Sequence, residues 1–144
     1  MKAESYSAAG AVVFDDSGRV LVLERRSRFE VRLPKGHVDA GEEVLATARR
    51  ETAEEAGYAD LEPLSDLGVQ VVTYSFDGRD VTREERYFAF RLASDRRVAR
   101  RPKDDWQFRV LWLAPDEALA QLTFDAEREW VRRAIAQTTA LEVS

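Results

Sequence analysis

The chain has 144 residues, 44% hydrophobic and 34% charged, which suits one globular domain over residues 1–144 with a core of its own. A net charge of −5 argues against a general nucleic-acid binder, and the lack of cysteine excludes disulfides, thiolate metal sites and a thiol nucleophile. With no secretory or membrane-length apolar run at its start, the protein is expected to be cytoplasmic and to work away from membranes.

In chain order, Ala8–Phe14 and Val20–Glu24 read as strands about the turn Asp15-Asp16-Ser17-Gly18, a hairpin by spacing and turn chemistry. The cations Arg25, Arg26, Arg28 and Arg32 follow, then the loop Leu33–His37, where Pro34 stiffens the approach and Gly36 lets the backbone turn tightly. Asp39, Glu42 and Glu43 stand where a helix opens and negative charge suits its free amides. On that helix Val44, Leu45, Ala48, Thr52 and Ala56 form a stripe about 120° wide. Glu55 falls inside the stripe and Glu51 at its edge, one turn apart, with Glu54 close by and Arg50 one turn before Glu54, within pairing reach. Gly57 suits a left-handed stop. Carboxylates crowded against a core are costly unless a cation neutralises them, and hard ions such as Mg²⁺ or Mn²⁺ favour these oxygens. A solvated glutamate-rich face is the ordinary alternative, and the rest of the segment decides between the two.

Leu61–Tyr74 and Val81–Ala93 read as longer strands about Asp77-Gly78, with Tyr74, Phe76, Tyr87 and Phe88 supplying aromatics. Arg96, Arg97, Arg100, Arg101 and Lys103 look like a solvated loop, and Trp106–Leu113 like a further strand. Asp116–Gln121 and Asp125–Gln137 read as a short and a longer amphipathic helix. Mixed strands with one helix between hairpins and another at the end make an α+β layout, a sheet packed between helices.

The pattern Gly36-x5-Glu42-x7-Arg50-Glu51-Thr52-Ala53-Glu54-Glu55-Ala56-Gly57-Tyr58 resembles the Nudix box at every specified polar and glycine position. Thr52 stands where an aliphatic residue is usual, and Tyr58 is aromatic where the closing position is more often aliphatic. The resemblance implies an α/β/α sandwich with a mixed sheet over about residues 6–136. It also implies a metal-dependent pyrophosphohydrolase that cleaves a nucleoside diphosphate linked to another moiety by attack of water on phosphorus. In such an enzyme Glu51, Glu54 and Glu55, with the Gly36 carbonyl, hold Mg²⁺ or Mn²⁺, and Arg50 completes the catalytic set. The general base is a helical glutamate or a loop acid, for which Glu84, Glu85, Asp104 and Asp105 are candidates.

Within that family, LPKGH followed by Gly41-Glu42 looks like the branch that hydrolyses diadenosine polyphosphates, although Val31 stands where those enzymes often carry Trp. Arg25, Arg26 and Lys35 are expected to contact phosphate, since the guanidinium fork suits phosphate oxygens. Arg28 and Arg32 read rather as solvated. His37, the lone histidine, is either polar surface or a phosphate contact; its place after Lys35-Gly36 favours contact. Tyr87, or else Tyr74, is the candidate to stack on an adenine. The expected partner is a small nucleotide or polyphosphate and not a nucleic acid, with the protein a monomer or homodimer. Other substrates remain open: ADP-ribose, diphosphoinositol polyphosphate, a damaged nucleoside triphosphate or an RNA 5′ end. A non-catalytic nucleotide-binding module is the reading from another class, and the intact set of Arg50 and the three glutamates argues against it.

Overall fold

The computed structural model describes residues 3–143. A mixed, seven-stranded sheet is built from β1 (Ala3–Phe14), β2 (Val20–Arg25), β3 (Glu30–Arg32), β4 (Lys35–His37), β5 (Leu61–Phe76), β6 (Arg79–Leu92) and β7 (Phe108–Leu113). The helices are α1 (Val44–Ala56), α2 (Pro102–Gln107), α3 (Pro115–Gln121) and α4 (Asp125–Val143). The main path runs β3-β2-β1-β6-β5, with β4 added to β1 and β7 to β2; among the described residues only β1 and β6 pair in parallel.

Because successive strand residues face opposite sides, each central strand feeds two cores. Val12, Phe14, Val20, Val22, Tyr87 and Ala89 pack with Ala118 and Leu122 of the α3 region and with Trp130, Val131 and Ala134 of α4. Their neighbours Ala11, Val13, Leu21, Leu23, Phe88 and Phe90 pack on the other side with Ala48 and Ala56 of α1. The result is the α/β/α sandwich expected from the sequence.

Several local expectations are corrected. The first hairpin is one only at its mouth, where β1 and β2 meet at Phe14↔Val20. Beyond that point β1 pairs with β4 through Ala8↔His37, Ala9↔Gly36 and Gly10↔Lys35, so the segment read as a loop is partly strand. The second hairpin is a true two-residue one, with Asp77 and Gly78 both at positive φ, 52° and 71°, the twist that suits antiparallel strands. Trp106 lies in α2, not in a strand, and Pro102 at the first helical position with Asp104 and Asp105 in the first turn explains why. Among the described residues no helix is long and apolar enough to cross a membrane.

Trp130 is the largest fully buried side chain; it stacks on Tyr87 with centroids 4.7 Å apart and donates its indole N–H to Glu85 Oε1 at 3.1 Å. Trp130→Ala should therefore lower unfolding free energy by about 3–5 kcal/mol, read from urea denaturation, the typical cost of emptying a large aromatic site. A loss below about 1 kcal/mol would mean that α4 is not held through this contact.

Candidate active site

Helix α1 starts from an extended Glu43 and stops at Gly57, which takes a left-handed conformation at φ 81° and donates its N–H to the Ala53 carbonyl at 3.0 Å. The two departures from the motif are accommodated locally. Thr52 is buried, and its hydroxyl donates back to the Ala48 carbonyl at 2.8 Å, so no polar atom is stranded. Tyr58 accepts the Trp112 indole N–H at 3.2 Å, edge to face with that ring.

The stripe position of the glutamates has the consequence expected: Glu51 and Glu55 are only 6% and 5% exposed. Glu54, off the stripe, is half-buried. Pairing of β4 with β1 lays Gly36 directly over Glu51, so closely that a Cβ at Gly36 would stand 2.1 Å from the Glu51 carboxyl carbon. One residue earlier, the Lys35 amide donates to Glu55 Oε1 at 2.9 Å, and Arg32 stands 3.8 Å from Glu55 Oε2. Burial pushes the Glu55 carboxyl up to about 7, against the pull of Arg32 and the Lys35 amide. Burial also raises Glu51, opposed by Arg50.

Arg50 is the bolt of the cluster. It donates through Nε and Nη2 to the two oxygens of Glu42 at 2.8 and 3.0 Å, and through Nη1 to Glu51 Oε1 and Glu54 Oε2 at 3.0 and 3.1 Å. Nη2 also donates to the His37 carbonyl at 3.0 Å, tying the loop to the helix. Its bonds to Glu42, with those from Thr47 and the Asp39 amide, hold the Glu42 carboxyl down at about 2. Glu42 thus serves as an anchor for Arg50 more than as a partner of free helix amides. A second guanidinium, Arg101, reaches Glu54 Oε2 at 3.1 Å and Glu51 Oε2 at 3.7 Å while bonded to the buried Asp104.

Among the described residues no three acidic or histidine side chains converge as a ready-made chelate; Arg50 and Arg101 share the oxygens of Glu51 and Glu54. The donor set nonetheless fits a hard divalent cation. It consists of carboxylate oxygens and a backbone packed without room for a methyl group, and two of its acids are held high by burial in want of positive charge.

These groups face a cleft of 580 Å³ in which Glu51, Glu55 and Asp104 meet Arg25, Arg32, Lys35, Arg83 and Arg101. Arg25 and Arg32 both sit against the Phe108 ring, 5.4 and 5.2 Å from its centroid, so their forks are held by stacking. Burial, aided by Arg32, lowers Lys35. His37 stacks on Tyr6 with centroids 4.1 Å apart, and Tyr6 in turn shares a hydrogen bond with Tyr74 at 3.0 Å and accepts one from Arg83 at 3.2 Å. Arg25, Arg32, Lys35 and Arg83 also line an adjoining chamber of 620 Å³ whose other walls include Tyr74, Phe76 and Phe124.

Of the residues singled out in the sequence, Gly36, Arg50, Glu51, Glu55, Arg25, Lys35 and His37 line this cleft, with Glu54 bonded at its edge. Arg26 does not join them: it lies on the exposed turn after β2, donating its amide to the Gln107 carbonyl at 3.0 Å. Tyr87 is corrected too, since its ring is fully buried against Trp130 on the α4 side and presents no face to a base. Of the four acids named as candidate bases outside the box only Asp104 lines the cleft; Asp105 pairs with Arg100 outside it, Glu84 is exposed elsewhere, and Glu85 is buried under Trp130 beside the second chamber.

Sequence reasoning missed Arg32, Arg83 and Arg101. Of the cluster read as solvated, Arg96 and Lys103 are exposed, while Arg97 and Arg100 are tied to the end of α1. Arg97 donates to the Ala56 carbonyl at 2.8 Å and Arg100 to that of Glu55 at 3.1 Å, satisfying carbonyls that the last turn leaves free. Pro102, as a helix-start signal, could have flagged Arg101 as a cap residue; nothing local marks Arg83, which reaches the cleft through the parallel β1–β6 pairing.

The NUDIX domain family model matches residues 5–134. Among solved structures, the chain is similar to a NUDIX hydrolase from Nitrosomonas europaea, at 22% identity over 92% of this chain and 90% of that one, with a TM-score of 0.71. A C. elegans Ap4A hydrolase in a binary complex matches at 20% identity over 94% and 98%, TM-score 0.66. The E. coli dihydroneopterin triphosphate pyrophosphohydrolase matches at 20% over 88% and 92%, TM-score 0.67.

Two outcomes are expected. Gly36→Ala should lower stability by about 1–3 kcal/mol in urea unfolding, since the new methyl overpacks the Glu51 carboxylate; no change would mean that this contact is loose. The second concerns pH. With its folded value near 7 against an ordinary 4.5, Glu55 keeps a proton that the unfolded chain releases, so its contribution to stability is present at low pH and lost as pH rises from about 4.5 through 7. A divalent ion binds the ionised form, so Mn²⁺ should raise the melting temperature more at pH 8 than at pH 5.5. Equal Mn²⁺ stabilisation at both values would exclude Glu55 as a ligand.

Proposed function

We propose, since this chain belongs to the NUDIX family and is a hydrolase acting on phosphoanhydride bonds, that it is a Mg²⁺- or Mn²⁺-dependent pyrophosphohydrolase of diadenosine polyphosphates or nucleoside polyphosphates. The observation that carries this reading is the adjacency of a carboxylate cradle, an arginine-lined cleft and an aromatic chamber that shares Arg25, Arg32, Lys35 and Arg83 with that cleft. A substrate with a long polyphosphate and a base at its far end matches that sequence of surfaces. The LPKGH loop and the likeness to an Ap4A hydrolase favour the same class.

In this reading Glu51, Glu54, Glu55 and the Gly36 carbonyl hold the metal, which when bound neutralises the diphosphate and activates the attacking water. Arg50 keeps Glu51 and Glu54 in register from its anchor on Glu42. Arg25, Arg32, Lys35 and Arg83 bind the remaining phosphates, with Arg25 and Arg32 held by stacking on Phe108 and Arg83 by Glu85 at 2.7 Å and the Tyr6 hydroxyl at 3.2 Å. His37, held flat on Tyr6, offers a ring N–H to a phosphate oxygen at the cleft mouth. As a new phosphorus–oxygen bond forms to water and the anhydride bond breaks, the water proton goes to a cleft acid. Glu51, Glu55 and Asp104 are the acids in place to take it, and the departing phosphate carries the anhydride oxygen away. The base stacks in the second chamber on Tyr74, Phe76 or Phe124, the last two having exposed rings; a stacked base contributes about 1–3 kcal/mol. The enzyme works in the cytoplasm on a small-molecule substrate, as a monomer or homodimer.

The test is a substrate panel with Mg²⁺ or Mn²⁺: diadenosine tetra-, penta- and hexaphosphate, nucleoside triphosphates, ADP-ribose and diphosphoinositol compounds, with products resolved by ion exchange. Release of ATP from the long dinucleotides is expected to be fastest; preference for another compound would discard the substrate and keep the chemistry, and no metal-dependent turnover would leave a binding module. Glu55→Gln should fold and lose about a hundredfold or more in kcat. Near-normal turnover by that variant would sink the ligand assignment.

A further inference from the structure

We propose that Arg101 is an exchangeable counter-cation of the site: its guanidinium competes with the divalent ion for Glu51 and Glu54 and, once displaced, swings on its Asp104 tether to bind a phosphate of the substrate. The inference rests on the metal reading given above.

The two arginines that touch the glutamates are built differently. Without Glu51 and Glu54, Arg50 loses the partners of Nη1 alone, because Nε and Nη2 are taken by Glu42 and by the His37 carbonyl. Arg101 has no such reserve. Beyond Glu54 at 3.1 Å and Glu51 at 3.7 Å, its side chain bonds, among the described residues, only Asp104, through Nε. Its head is partly open to solvent while the Asp104 carboxylate is 1% exposed, so a fixed anchor carries a free fork.

Place and chemistry point the same way. The Arg101 amide donates to the Glu54 carbonyl at 3.2 Å, and Pro102 begins α2 directly after it, so the backbone is pinned over the last turns of α1 and only the side chain is free to move. The Oε2 atoms that Arg101 approaches belong to two of the candidate ligands, and a guanidinium and a divalent cation repel one another across oxygens they would have to share. Arg101 lines the same cleft as Arg25, Arg32 and Lys103, so a displaced fork stays among groups that suit phosphate, where two parallel N–H donors match two oxygens. Metal and polyphosphate then favour each other's binding through one side chain, and such coupling is reciprocal.

The test uses the full chain without nucleotide first. Mn²⁺ affinity, from calorimetry and from the electron paramagnetic signal of free Mn²⁺, should be about tenfold tighter in Arg101→Ala than in the wild type. Arg101→Lys, which keeps the charge and loses the fork, should fall between. With Mn²⁺ saturating, a methylene-bridged, non-hydrolysable ATP analogue should bind about tenfold more weakly to Arg101→Ala. If the alanine variant does not fold, Arg101→Gln is read in its place with the same expectations. A wild type that takes no Mn²⁺ overturns the metal reading itself. A wild type that binds Mn²⁺, with variants that bind it no more tightly or that hold the analogue as well, overturns the role of Arg101 alone.

Discussion

The structure turns on two carboxylates held where a helix meets the core. Glu51 and Glu55 occupy the buried side of α1 because the same face that carries Ala48, Thr52 and Ala56 into the core also carries them. Acidic groups so placed are costly in isolation, and the surroundings answer that cost locally. Arg50 supplies charge from a fixed anchor, the Lys35 amide supplies a hydrogen bond to Glu55, and the missing side chain of Gly36 leaves the space that the Glu51 carboxylate fills. What remains uncompensated appears as raised carboxyl values at both acids, and a divalent cation is the group that would relieve them.

The sheet exists in this form to bring those parts together. Strand β1 leaves its hairpin partner after a single pair of residues and takes β4 along the freed edge, and that exchange sets Gly36 above α1. On its other side β1 runs parallel to β6, which delivers Arg83 to the cleft and, four residues on along the same face, Tyr87 to the core under α4. Helix α4 stands behind the site: Glu127 accepts the Leu33 amide at 2.9 Å, so the loop before Gly36 is secured from the far layer of the sandwich.

The arginine-rich composition divides into distinct tasks. Arg97 and Arg100 close the C-terminal end of α1 by bonding its free carbonyls, a use that depends on planar, permanently charged donors. Arg25 and Arg32 stack on Phe108 and face the cleft. Arg50 and Arg101 serve the carboxylates. A count of charges distinguishes none of these, since each task is set by which carbonyl, ring or carboxylate lies within reach.

The sequence by itself determined the helix, its C-terminal bound and the face it buries, because periodicity and the left-handed stop at Gly57 are local properties of consecutive residues. It likewise carried the box residues, the Asp77-Gly78 hairpin and the placing of a sheet between helices. Tertiary structure alone decided which cations reach the cleft. Arg26 and Arg32 lie in one basic run, yet pairing of β3 with β2 brings Arg32 into the cleft and leaves Arg26 on an exposed turn. Tyr87 and Tyr74 looked alike as aromatic strand residues, and only the position of α4 buries the first under Trp130 and leaves the second on a chamber wall. Arg83 and Arg101 reach the glutamate cleft from strands and loops distant in sequence, and contacts across such separations are fixed by sheet pairing and helix packing, which no local pattern encodes.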